Sequence, residues 1–359
     1  MSPIIMTWYG IDSVDRAFSR TKSFLLEPFD FWKWARLALI IFLLNGLSAG
    51  SGNSGGSYHG TSGNLEQTLS DFGFGEGPES FGELEAGDFS VIFEKISSIP
   101  NFDLIVLGIV ILLLIGLLFA YLSNVMEFVF VESLVSNEVK VLDYSKRFRG
   151  DGFRLFIIRI LLGLVFLLSL GAAMFPFISN AIERGADPGW ELILGGIAWF
   201  LIVLFVIGFI SLVIGSFLNL AIPLSIYRKS GILSAFWLVY KNFRQSWKEI
   251  LVYWGARLLL RLGTAIAATM LFLLVLLGLG LGFFLVDGIL YFLLLILISE
   301  DLVWFGLAPV LFVEFLLLLG IMLFINVPFM VFLKYHMLSF LDMWYPGAEI
   351  PFFDRTVLK

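Results

Sequence analysis

The chain carries apolar runs that far exceed the ~20 residues a helix needs to cross a bilayer, and they recur along its 359 residues. In lipid every backbone polar group must be satisfied internally, so such runs fold as helices. The hydrophobic share is 59% and only 14% of residues are charged, whereas a soluble domain has about 45–50% and about 25%. The prediction is an all-α fold, a polytopic transmembrane bundle of about six spanning helices with amphipathic connectors. The expected spans are 31–49, 104–135, 153–178, 190–227, 250–286 and 304–335, all within a single membrane domain, 1–359. The fourth span is expected to be broken near its end by Pro223, and residues 228–249 form an amphipathic basic connector. Residues 288–298 are apolar but too short to span, and read as an outer interfacial segment.

Before the first span, Ile11, Val14, Phe18 and Leu25 share one face of an amphipathic arm (1–30), with Asp12, Asp15, Arg16, Ser19 and Lys22 away from it. Pro28 ends this helix. Trp32, Lys33 and Trp34 follow as an anchor at headgroup level. The arm lacks the apolar core of a cleavable signal peptide, so the first span is expected to direct insertion itself. After that span the chain turns glycine- and serine-rich, then acidic, with nine Asp/Glu and one Lys between positions 66 and 103. This stretch reads as a solvated loop, with a short interfacial helix over 81–99 as the alternative.

Charge sets the orientation. With six spans, 21 of the 23 Lys/Arg fall on one side, leaving Lys95 and Arg184 on the other. An excess of Lys/Arg marks the cytoplasmic face. Both termini are thus expected in the cytoplasm, with 50–103 outside and 336–359 as a cytoplasmic tail.

The stretch 219–261 organises the rest. It joins the end of one long apolar helix to the start of another through an aromatic and basic bend. A weaker copy lies 95 residues earlier, where Asn124, Lys146, Phe148 and Arg149 fall on Asn219, Lys241, Phe243 and Arg244. Pro328, Lys334 and Ser339 lie 105 residues after Pro223, Lys229 and Ser234, and Lys22 and Phe24 match Lys146 and Phe148. These offsets suggest three parallel hairpins, the third split between the two ends of the chain. In a closed arrangement the first span packs beside the sixth, and the arm meets the tail.

The arm, with its core from Phe24 to Leu39 followed by a Gly/Ser-rich loop, resembles an uncharacterised family of archaeal polytopic membrane proteins. The helix, proline, amphipathic bend, helix pattern is more distantly similar to the non-catalytic membrane domain attached to some glycerophosphodiester phosphodiesterases. Neither resemblance implies an activity, and no catalytic phosphodiesterase domain is present.

Motifs for chemistry do not survive their context. The absence of cysteine removes disulfides and thiolate chemistry. Gly52 to Gly56 match the G-x-S-x-G pattern of serine hydrolases, but lie in glycine-rich coil without the flanking strand and helix. No Gly-Lys dipeptide occurs, so there is no P-loop. His59 and His336 fall on opposite sides, so no histidine metal site is expected. Gly278, Gly280 and Gly282 read as close helix packing, as do Gly46 and Gly50. Neither a cofactor nor a catalytic residue is expected, and the chain reads as a non-enzyme.

Polar residues within the spans are the better candidates. Arg159, Arg257 and Arg261 read as snorkelling to the inner headgroups. With Lys33, Arg36, Arg149, Lys241 and Arg244 they are the candidate contacts to anionic lipid. Asn124, Asn219 and Asn326 lie at the inner ends of the second, fourth and sixth spans. They are expected to bond to neighbouring helices or to backbone freed by Pro223 and Pro328. Glu314 stands in an apolar context and is expected to be protonated, paired or facing a wet cavity. Two function classes follow. One is a non-enzymatic scaffold or lipid-interacting domain whose partners are membrane lipids and not nucleic acid. The other is a transporter or channel for a small solute or proton, with Glu314 and the three asparagines lining the path. A continuous polar path favours transport; a dry Leu/Phe-packed centre favours the scaffold.

Overall fold

The computed structural model describes residues 8–45, 102–184, 190–297 and 300–356. The expectations for the outer loop, the Gly52–Gly56 pattern, His59, Lys95, Gly46, Gly50 and the alternative helix over 81–99 lie outside the described residues. Among the described residues all regular structure is helical. In chain order the helices are α1 (Tyr9–Leu26), α2 (Phe31–Asn45), α3 (Phe102–Ser136), α4 (Val141–Arg147), α5 (Arg149–Arg184), α6 (Trp190–Tyr227), α7 (Ile232–Gln245), α8 (Trp247–Leu297), α9 (Glu300–Trp344) and α10 (Phe353–Thr356). A 3-10 turn, Pro346–Ala348, precedes α10. Among the described residues five helices are long and apolar enough to cross a membrane: α3, α5, α6, α8 and α9. The chain is a polytopic helical membrane protein.

Three expectations change. Residues 288–298 are not a separate outer segment: up to Leu297 they are the last turns of α8. Nothing there stops a helix, since a lone Gly288 costs only ~1 kcal/mol and the residues that follow it are Ile, Leu, Tyr and Phe. Pro223 does not break the fourth span, because α6 continues through it to Tyr227; a spanning helix tolerates the lost hydrogen bond when its surroundings re-satisfy the freed carbonyl. The sixth span likewise runs on through the expected tail to Trp344. At 51 and 45 residues, α8 and α9 are about 76 and 68 Å long, well over twice the ~30 Å hydrocarbon core. Much of this pair therefore lies outside lipid.

The chain divides into two compact units: residues 1–48, 122–153 and 217–359, and residues 49–121 with 154–216. In the first unit α9 is the axis, with α1, α2 and α8 packed on it. Val327, Val331, Tyr335, Met337, Leu338, Phe340 and Leu341 of α9 have no solvent exposure, and neither do Ile250 and Tyr253 of α8. Tyr253 stacks on Phe340 at 4.2 Å and on His336 at 5.5 Å. Phe31 at the start of α2 stacks on Phe324 at 5.4 Å, so α2 does lie beside α9. Two glycines set the closest approaches. A Cβ at Gly10 would stand 2.9 Å from the Tyr253 backbone, and one at Gly152 would stand 2.8 Å from Val125 Cα. By contrast, a Cβ at Gly278, Gly280 or Gly282 meets nothing within 4 Å. The close-packing expectation therefore fails for these three, which lie on a bare stretch of α8.

In the second unit α5 and α6 run as a hairpin. Trp199 Nε1 donates to Ala173 O at 3.0 Å, and its ring lies 6.3 Å from Phe177. Most apolar side chains here face outward, among them Leu164, Leu167, Leu168, Leu201 and Phe205. A contiguous apolar surface of this size fits lipid as its solvent.

Candidate functional site

Helix α1 shows why its sequence reads as amphipathic and how that reading misleads. It rests on α9 and α8 through Gly10, Ser13, Ala17, Arg20, Phe24 and Leu25. These are small residues that permit close approach, one arginine and two apolar side chains at the end. Ile11 and Phe18, seven residues apart and so on one stripe, point away from the protein and are 57% and 66% exposed. Asp12, Asp15, Arg16, Ser19 and Lys22 are exposed as well. One helix thus carries a protein-facing side and an outer side on which unpartnered Ile11 and Phe18 stand beside Asp15 and Lys22, with Asp12, Arg16 and Ser19 farther round.

Helix α7 repeats the arrangement. It buries Ile232, Ala235 and Val239 and leaves Leu233 and Trp237 more than 60% exposed, beside exposed Lys241 and Arg244. An aromatic cluster seats it: Phe217 lies 5.0 Å from Phe243 and 6.2 Å from both Phe236 and Trp254. The rim continues at Phe29, Phe31, Trp32 and, on α4, Leu142, all exposed.

The expected lipid contacts divide. Lys33 is engaged inside the protein, donating to Phe24 O at 2.7 Å and Asn137 Oδ1 at 2.8 Å, with its ammonium 3.8 Å from the centre of the Phe24 ring. Burial pushes it down to about 8, against a smaller upward pull from Asp30. Arg36 is exposed and donates to Val139 O at 3.2 Å. Arg149, Lys241 and Arg244 are exposed, and Arg159, Arg257 and Arg261 are half-buried. Of the Trp32/Trp34 pair, Trp32 points out, whereas Trp34 donates to Leu25 O. Phe148 is buried against Phe128 at 5.8 Å, and its sequence counterpart Phe24 is buried as well.

The polar candidates are carried by α3, α6 and α9. Asn124 and Asn219 are buried in the first unit. Asn326 is half-buried, and its Nδ2 donates to Met322 O, one turn back in its own helix, at 2.9 Å. Glu314 lies 12 residues earlier in α9, about 18 Å, and shares a side-chain hydrogen bond with Asp287 of α8.

Sequence reasoning missed several pairings. Lys334 and Glu127 form an ion pair at 3.7 Å, each side chain only 11% exposed. Glu132 takes a bond from Arg147 at 2.9 Å and one from Tyr227 at 3.1 Å. Arg20 donates to Asp354 at 2.9 Å and to Ser339 at 3.0 Å, with its guanidinium 3.6 Å from the centre of the Phe352 ring. An acid inside an apolar helix was the available signal for Glu127, but nothing in the sequence named its partner. Among the described residues no group of three or more His, Cys, Asp or Glu is placed to hold a metal ion.

The profile of a family of unknown function matches residues 8–350. No curated protein matches the chain, and no solved structure does.

Proposed function

The chain belongs to that family, DUF7544, and on this premise we propose that it is a non-enzymatic membrane scaffold whose amphipathic rim engages anionic lipid. The carrying observation is the outward stripe of α1. Ile11 and Phe18 are exposed although the helix is packed into the protein, and at ~25 cal/mol per Å² such area is costly in water. Lipid at the interface removes that cost, while nearby Arg16 and Lys22 meet headgroups, each worth ~1 kcal/mol close to an anionic surface. Trp237 with Lys241 and Arg244 on α7 repeats the chemistry. The charge asymmetry favours the cytoplasmic leaflet of the cell membrane, with both termini inside.

The transport reading has less behind it. If Arg261 marks the inner headgroup level, Asp287 lies 26 residues further along α8, about 39 Å. The Asp287–Glu314 pair then falls near the opposite surface and not at mid-membrane. The centre of the first unit is packed by Phe128, Val129, Leu220, Ile222 and Val331, in keeping with a dry core.

Single cysteines in this Cys-free chain test the orientation. Ser57→Cys is to label from outside intact cells and Ser145→Cys is not; the reverse pattern contradicts the assignment. Vesicle composition tests the lipid role. Replacing phosphatidylcholine with phosphatidylglycerol is to raise the thermal midpoint at low salt, with the gain shrinking at high salt; no gain at either salt contradicts it.

A further inference from the structure

On α8, Arg257 and Arg261 stand one turn apart. Side chains at this spacing are neighbours on a helix surface, and two like charges so placed destabilise it. Arg257 Nη1 donates to Tyr253 Oη, a neutral group, which draws the guanidinium back toward the start of the helix. Arg257 and Arg261 act on each other electrostatically. Both are half-buried, and exposed Leu258, Leu259 and Leu262 lie between and beside them. Past Arg261 no charged residue occurs until Asp287, so this pair is the last positive charge before a run longer than a bilayer crossing. Tyr253 is itself fixed by its stacks on Phe340 and His336, so the Arg257 guanidinium is held at a defined depth.

We propose that Arg257 and Arg261 together bind one phosphate group of an anionic phospholipid, whose acyl chains lie along Leu258, Leu259 and Leu262. The reasoning rests on the lipid-interacting function above and assigns a headgroup site to it. A phosphate placed between two guanidiniums converts their repulsion into two charge-assisted attractions, and the planar fork of arginine suits phosphate oxygens. The apolar side chains around the pair disfavour a fully hydrated anion and favour one that carries its own hydrocarbon. The basic residues of α7, Lys241 and Arg244, are exposed and not half-buried, and act as diffuse attraction for the leaflet.

The test uses the full-length protein in nanodiscs of phosphatidylcholine doped with phosphatidylglycerol, with retained lipid counted by mass spectrometry. The wild type is to retain phosphatidylglycerol over phosphatidylcholine by roughly ten- to thirtyfold. Arg257→Gln/Arg261→Gln is to bring that ratio close to one, whereas Lys241→Gln/Arg244→Gln is to reduce it severalfold at most. Arg257→Lys/Arg261→Lys, which keeps the charge, is to retain part of the preference and guards against a folding defect in the glutamine pair. A glutamine pair with wild-type thermal midpoint and undiminished preference overturns this site but leaves the lipid reading standing. A wild type with no preference overturns both. Inorganic phosphate at millimolar concentration, in phosphatidylcholine nanodiscs, separates the two sources of the group. Stabilisation by phosphate alone, lost in the glutamine pair and without selective lipid retention, assigns the site to a free anion and overturns the lipid proposal.

Discussion

Arg20 of the N-terminal helix and Asp354 of the C-terminal turn form an ion pair at 2.9 Å across 334 positions of sequence. The two ends of the chain are thereby joined on the side of α9 that buries Tyr335 and Ser339. The arginine is the inner member, 9% exposed against 42% for the aspartate.

Removing the two partners is therefore not equivalent. Arg20→Ala loses the bonds to Asp354 and Ser339 and the face of Phe352, an effect of about 2–3 kcal/mol. Asp354→Ala leaves Arg20 on Ser339 and Phe352 and costs about 1 kcal/mol. Denaturation of the two variants under matched conditions checks the order; an equal or reversed cost contradicts this account of the clasp.

Gly10 and Gly263 make a paired test of packing. At Gly10 an added methyl meets the Tyr253 backbone at 2.9 Å, whereas at Gly263 it meets nothing within 4 Å. Gly10→Ala should destabilise by about 1–3 kcal/mol through overpacking. Gly263→Ala, inside α8, should stabilise by up to ~1 kcal/mol through helix propensity. Thermal midpoints moving the same way in both variants would refute the assigned seat of α1.

Lys33 gives a pH signature. Its first-turn position in α2 is outside the five apolar spans, and burial lowers it from 10.5 to about 8. Between these values the unfolded chain holds a proton that the folded protein has released. Stability then rises with pH through this window, the reverse of a lysine gaining an acidic partner. Below pH 8 both states are protonated and the contribution is flat. The difference in thermal midpoint between wild type and Lys33→Met, followed from pH 7 to 10.5, should shift in favour of the wild type as pH rises; a flat difference removes the burial effect.

Asp287 and Glu314 bond to one another, so their substitutions should not add. A double-mutant cycle with Asp287→Ala and Glu314→Ala should return a coupling of about 0.5–2 kcal/mol. Strict additivity would mean the two acids act alone.

The spans and their order were legible because lipid demands long apolar helices, and residues such as Leu104 to Leu118 carry no competing signal. The amphipathic character of α1 and α7 was legible too. Which face turns inward was not, because Gly10, Ser13 and Ala17 pack closely by being small and so leave no hydrophobic mark. The same limit hid Glu127–Lys334 and Asp287–Glu314: a polar residue in an apolar run announces a need for a partner but not its address. Helix ends were misjudged at 288–298 and 336–344, where no residue forbids continuation and tertiary packing alone decides.

The central claim is that the outward stripe of α1 lies in lipid. Spin labels placed singly at Ile11→Cys, Phe18→Cys and Asp12→Cys in reconstituted protein test it through collision with oxygen, which concentrates in lipid, and with a water-soluble nickel chelate. The account predicts that positions 11 and 18 collide with oxygen and are shielded from nickel, while position 12, about a quarter-turn or more away on the helix, shows the opposite. Free access of nickel to position 18, at the level found for position 12, would contradict it.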